Sequence, residues 1–250
     1  LGDTLAAIAE DKSHVITGEQ KCVYFAEQEP EVLEVLVRRA KAMQVPYKIY
    51  GRDFQAENIR YTCSGMLFDV VIGDNIYPDL QIPLLGEHQA KNCALALAVC
   101  MDVMADLCRE SDTLYIFSEP MCNQICRQLS AIHHPGRMEL LSSDPFVLLD
   151  ACIHSASCEN VKDVLRHLGI QNCTVIVGIP EDKDYVGVVR SMKDVAARII
   201  LTRSGNPHYH FSQKQQEFLA QEEIPSEWTD SVEQALTLAG SCPDPIVILG

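Results

Sequence analysis

The sequence predicts an α/β protein, and three observations carry that reading. Four apolar, β-branched runs occur in the second half: FVLLD at 146–150, TVIVG at 174–178, RIILT at 198–202 and PIVIL at 245–249. Helical segments fall between them, at 156–168, 185–195, 212–222 and 230–239. Near-continuous apolar strands alternating with helices imply a mostly parallel sheet covered on both faces, a Rossmann-like arrangement. The third observation is a change of pattern upstream, where helices are mixed with a run of alternating residues.

In that first part, 3–12 reads as a helix with Leu5, Ile8 and Ala9 on one face. KCVYFAE is a strand. Residues 29–43 form an amphipathic helix with Pro30 in the first turn, where its missing N–H costs nothing. PYKIY is a short strand. From 58 to 82 the alternation NIRYTC, MLFDVVI and IYPDLQI, broken by SG and GDN, predicts an antiparallel meander. Residues 88–104 turn helical and alanine-rich, 109–120 carry polar and turn residues, and a further helix covers 120–129. Pro135 and Gly136 break the pattern, so the boundary falls there: one domain over 1–133 and a second over 134–250.

Composition narrows the function. The chain has 250 residues and a formal net charge of −15. The excess is even, −8 over 1–134 and −7 over 135–250, with no basic stripe, which argues against nucleic-acid binding. The longest apolar run, Cys93–Met101, is nine residues, far below the roughly 20 that span a bilayer. No secretory signal is visible, and we expect a cytoplasmic protein. The eleven cysteines form no CxxC pair and read as small buried hydrophobes. A metal site from Cys122, Cys126, His133 and His134 matches no zinc spacing. The chain opens on LGDTLAAIAEDK, already helical, and closes on the apolar PIVILG. We therefore expect a segment of a longer chain.

Ligands of parallel sheets sit at the carboxyl ends of the strands. Those ends are Asp150 followed by ACIHSAS, Gly178 followed by IPEDKD, and Thr202 followed by RSGNPHY. Neither a P-loop nor a G-x-G-x-x-G fingerprint is present.

Four blocks in order, LGDTLAAIAEDK, GEHQAKNCALAL, HPGRMELL before PFVLLD, and GIPEDKD, resemble the folylpolyglutamate synthases and dihydrofolate synthases. These form the folate branch of the Mur ligase superfamily. The resemblance runs over almost the whole chain. It implies the trailing half of a P-loop ATPase-type domain followed by a Rossmann-like C-terminal domain, with the P-loop upstream of Leu1. It implies an ATP-dependent, Mg²⁺-requiring ligase of folate biosynthesis. ATP would phosphorylate a folate or pteroate carboxylate, and the amine of L-glutamate would displace the phosphate. A monomer is expected, with small-molecule substrates and neither nucleic acid nor membrane as partner.

The same resemblance assigns residues. Lys12 aligns with a lysine that is carbamylated and helps hold Mg²⁺, since a carbamate supplies the hard oxygen that magnesium prefers. Asp11 and His14 depart from the Glu and Gly usual beside it. His88, Gln89 and Asn92 fall in the block G-x-H-Q-x-x-N. His88 and Asn92 share a helix face, and the Asn amide suits the edge of adenine. Arg137 aligns with an arginine that reaches the nucleotide phosphates, with His134 where Trp is usual. A surface ion pair with Glu139 is the plain alternative for Arg137. Asp150 aligns with the aspartate that contacts the ribose. His154 matches the histidine near glutamate and phosphate, after one extra residue in D-A-C-I-H-S-A. Lys183 lies in the DKD block, and Pro207-His208-Tyr209 departs from the pattern. Two alternatives remain: a degenerate, non-catalytic family member that binds or regulates, and a cell-wall Mur ligase, against which the His-Gln of GEHQAKN argues.

Overall fold

The computed structural model describes residues 4–62, 65–110, 119–222 and 225–250. The expected helix start at Asp3, the SG turn at Ser64, most of the polar stretch before residue 119 and the Cys122 side chain lie outside them. The chain divides into two compact units, one of Leu1–Thr62, Met66–Ile82 and Glu87–Ala131, the other of Cys63–Gly65, Pro83–Gly86 and Ile132–Gly250.

The first unit holds α1 (Leu5–Ser13), β1 (Val23–Phe25), α2 (Pro30–Ala42), β2 (Tyr47–Ile49), β3 (Phe54–Thr62), β4 (Gly65–Ile72), β5 (Asn75–Ile82), α3 (Glu87–Glu110) and α4 (Glu119–Leu129). β1 and β2 pair in parallel across α2, and Ile16, Phe25, Ala40 and Val45 form their buried core. β3, β4 and β5 make the three-stranded meander, with β4 and β5 antiparallel. Its alternation is physical: Met66, Phe68, Val70 and Ile72 of β4 are buried, because successive side chains point to opposite faces. One expectation fails in α1. Leu5 and Ile8 are exposed at 52% and 37%, while Ala9 and Ser13 are buried. α1 packs on α2 through its small residues, and Ser13 Oγ satisfies itself on the Glu10 carbonyl at 2.7 Å.

The second unit holds β6 (Glu139–Ser143), β7 (Phe146–Asp150), α5 (Ser155–His167), β8 (Cys173–Val177), α6 (Tyr185–Met192), β9 (Ala196–Thr202), α7 (Gln213–Gln221), β10 (Ser226–Thr229), α8 (Val232–Ala239) and β11 (Ile246–Leu249). They form a six-stranded sheet in the order β10-β9-β8-β11-β7-β6, parallel except for β6. The four apolar runs are its inner strands. The two edges, ELLSS and SEWT, carry too little apolar sequence to be read as strands. Ile176, Ile200, Ala235, Ala239 and Ile246 seal α8 onto the sheet.

The strand order sets which loops share an edge. The chain passes from β7 over the place of β11 to β8, runs outward through β9 to β10, and returns at β11 between β7 and β8. The carboxyl ends of these parallel strands, where ligands of such sheets sit, carry the loops that follow Asp150, Val177 and Thr202.

Ile200 is fully buried beneath α8. Ile200→Ala is expected to cost about 2–5 kcal/mol. Trp228, the one tryptophan of the chain, lies in β10 of the same sheet, so its fluorescence during urea unfolding reads the loss.

Candidate functional site

Asp150 closes β7 and is 6% exposed. Its Oδ2 accepts a 2.9 Å hydrogen bond from the Met138 N–H. Burial pushes this carboxyl above the ordinary aspartate range, while the N–H groups of Met138 and Cys152 and the nearby Arg137 cation oppose the rise. Its carbonyl accepts from the Gly250 N–H at 3.1 Å, and the Ala151 N–H donates to the Gly136 carbonyl at 2.8 Å. The segment 136–138 is thus strapped onto the carboxyl end of β7. Gly136 takes φ +69°, a left-handed turn that glycine adopts without strain.

Arg137 projects from that strap and is exposed. The anticipated ion pair with Glu139 does not form. Glu139 instead accepts from the Gly136 N–H at 2.8 Å and meets His133 Nε2 at 2.9 Å, and these two contacts hold its carboxyl below the usual range. The guanidinium therefore stays available above Asp150.

His154 is the N-cap residue of α5, with an exposed side chain that makes no capping bond. A residue missed from sequence does that work. Asp184 Oδ2 accepts from the Ser155 N–H and its Oδ1 from the Gly187 N–H, both at 3.0 Å. One carboxylate thereby caps α5 and α6 together. Those N–H donors, with the nearby His154, hold its carboxyl below the ordinary range. The signal was present as Asp before a helix with Gly three residues on. A β-carbon at Gly187 would lie 2.4 Å from both Asp184 oxygens.

A cavity of about 330 Å³ opens at these strand ends, its wall including Ile153, Gly178, Lys183, Thr202, Ser204 and Tyr209. The hydroxyls of Thr202 and Ser204 are buried with no partner among the described residues. Lys183 Nζ pairs with Asp182 at 2.7 Å.

The other predicted residues lie in the first unit. His88 and Asn92 sit in the first two turns of α3, four positions apart, His88 half-buried and Asn92 exposed, while Gln89 is 8% exposed. Lys12 is in the last turn of α1, exposed and 3.4 Å from Asp11. No group of three or more His, Cys, Asp or Glu among the described residues could hold a metal. A second cavity, about 500 Å³, has its cations already paired, Lys48 with Asp102 and Arg52 with Asp53, both at 2.6 Å.

A mostly parallel sheet thus brings a buried aspartate, an exposed arginine and a cavity to one carboxyl edge of an α/β unit. Comparison with known proteins narrows this. No known family model matches the chain. The folylpolyglutamate synthase of Lacticaseibacillus casei is 25% identical over 256 residues, covering 100% of this chain and 56% of that protein. The dihydrofolate synthase/folylpolyglutamate synthase of Mycobacterium tuberculosis is 25% identical over 214 residues, 83% of this chain and 42% of that one. The structure of the M. tuberculosis folylpolyglutamate synthase complexed with ADP and AMPPCP matches with a TM-score of 0.83 at 22% identity, covering 100% of this chain and 57% of the other. Folylpolyglutamate and dihydrofolate synthases match over most of the chain, cell-wall ligases match shorter stretches of it, at 22% and 42% of its length, and the chain shares the fold of the solved folylpolyglutamate synthases. It spans about half the length of the curated relatives it matches.

The double cap predicts a pH signature. A carboxyl held below its unfolded pKa adds stability above that value and loses it as pH falls through the lowered one. Asp184→Ala is expected to cost about 0.5–2 kcal/mol at pH 7, with the gap to wild type narrowing as pH falls below the ordinary aspartate value of about 3.9. Urea midpoints across pH read this, and Gly187→Ala should reproduce the neutral-pH loss by displacing the same carboxylate.

Proposed function

We propose that the full-length protein is an ATP-dependent ligase that joins L-glutamate to a pteroate or folate carboxylate through an acyl phosphate. The observation that carries this is the match to a folylpolyglutamate synthase over the whole chain. The site chemistry agrees with it.

In this reading Asp150 receives the ribose. Its buried carboxylate is oriented by the Met138 N–H, and a ribose hydroxyl would add a further donor to it. Arg137, displaced from Glu139 by Gly136 and His133, offsets charge on the transferred phosphoryl group. His154 lies at the mouth of α5, beside the cavity wall formed by Ile153. Glutamate would sit in that cavity, its carboxylates meeting Lys183 and the hydroxyls of Thr202 and Ser204. Asn92, with His88 on the same face of α3, would present its amide to adenine.

The residues described do not form a closed ligand set for magnesium, and Lys12 with Asp11 offers only a cation beside a carboxylate. A carbamate on Lys12 would turn that cation into an oxygen donor.

Glutamate-dependent ADP release by the full-length protein with dihydropteroate or tetrahydrofolate tests the reading, and no turnover with either would refute it. Arg137→Ala is expected to lower turnover at least about tenfold, as loss of a charged phosphoryl contact does. Asp150→Asn separates function from stability. A carboxyl whose pKa is raised by burial weakens the fold above that pKa. The amide should therefore keep or raise the thermal midpoint at pH 7 while turnover falls.

A further inference from the structure

The loop that joins Asp150 to α5 holds two thiols that the ligase reading does not use. Cys152 lies two residues after Asp150, and Cys158 is the fourth residue of α5. Their sulfurs are 3.6 Å apart, and both are directed at one acceptor, the His154 carbonyl, at 3.4 and 3.7 Å. We propose that Cys152 and Cys158 are a reversible dithiol–disulfide couple, oxidised by hydroperoxides, that pins the Asp150–His154 loop to α5.

Geometry comes first. A disulfide needs sulfurs about 2.05 Å apart, so closure asks for an approach of about 1.5 Å between side chains that already face one another. The loop is irregular over 151–154 and ends on the exposed His154, whereas α5 is a regular helix. The adjustment therefore falls on the loop.

The electrostatics then select the attacking sulfur. Cys158 sits in the first turn of a helix, where partial positive charge favours a thiolate. The contact with Cys152, a hydrogen bond with Ser191 and the positive charge of the buried Lys162 together bring the Cys158 thiol down against its burial. Cys152 moves the other way, raised by its contact with Cys158 and by burial. We therefore assign Cys158 as the attacking sulfur. Other cysteines, such as Cys93 and Cys173, are buried and pushed up to about 12 by desolvation, so they stay inert.

The step balances with a hydroperoxide. The Cys158 thiolate attacks the peroxide oxygen, the O–O bond breaks, and water leaves once the departing oxygen is protonated, giving a sulfenic acid. Cys152 then attacks that sulfur, the S–O bond breaks, and a second water leaves. Two thiols lose two electrons and two protons, and one peroxide is reduced. Both sulfurs are buried, at 2% and 0%, so oxidation proceeds through local opening of the loop.

The sequence provides a clean readout. Residues 138–162 form one tryptic peptide that contains Cys152, Cys158 and no other cysteine. The native protein is treated with hydrogen peroxide, denatured, alkylated and digested without reductant. The expected result is a peptide lighter by two hydrogens and closed to alkylation, with both thiols returned by dithiothreitol. A peptide that remains alkylated at both positions, or that carries sulfinic acid at Cys158 with no crosslink, overturns the proposal. In Cys152→Ser the sulfenic acid loses its resolving partner, so dimedone should label Cys158. Absence of label overturns the assignment of Cys158 as the reactive sulfur. Neither measurement depends on folate, glutamate or ATP, so the ligase reading and this one fail separately.

Discussion

A carboxylate placed at the end of a buried strand must find donors, and the second unit is arranged around Asp150 finding them. Leaving such a group without partners costs several kcal/mol. The Met138 N–H supplies one bond, and Arg137 stands near enough to oppose the cost of burial. Because Met138 is also buried, the segment entering the sheet is held at two points, a side chain beneath and a carboxylate at its backbone. Gly250, after the last strand, donates to the carbonyl of the same aspartate. Three distant parts of the sequence meet at one residue.

The remaining features of the edge follow from keeping backbone N–H groups satisfied. Helices α5 and α6 both begin here, and each exposes unpaired N–H groups at its start. Asp184 answers both with its two oxygens, which leaves the His154 side chain uncommitted. Glu139 plays the same part for the Gly136 turn and leaves Arg137 uncommitted. Structural carboxylates absorb the local demands, so that the exposed imidazole and guanidinium remain available to a ligand. Asp150 itself is kept at a cost to the fold, since burial raises its carboxyl above the ordinary range.

Much of this was legible beforehand. FVLLD, TVIVG, RIILT and PIVIL announce inner parallel strands because both their faces are buried, and the meander shows through the alternation of MLFDVVI. The edges ELLSS and SEWT were silent because a half-exposed edge strand needs few apolar residues. Leu5 and Ile8 misled for a related reason: periodicity marks an apolar face but not whether a neighbour covers it, and α2 covers Ala9 instead. Residues named by resemblance, such as Arg137 and Asp150, could be located in sequence. Asp184 and Glu139 could not be ranked, because their roles lie in which backbone N–H each one meets.

What the sequence by itself determined is the kind of protein: strand and helix order, a break in pattern at Pro135 and Gly136, and motif blocks that resemble those of folate ligases. These depend on local periodicity and on residue identity, which survive without coordinates. The tertiary structure alone decided the strand order that seats β11 between β7 and β8, the engagement of Glu139 by Gly136 and His133 rather than by Arg137, the double cap by Asp184, and the 3.6 Å approach of Cys152 to Cys158. Each depends on which groups separated in sequence come within hydrogen-bonding reach, and that distance is set by packing rather than by order along the chain.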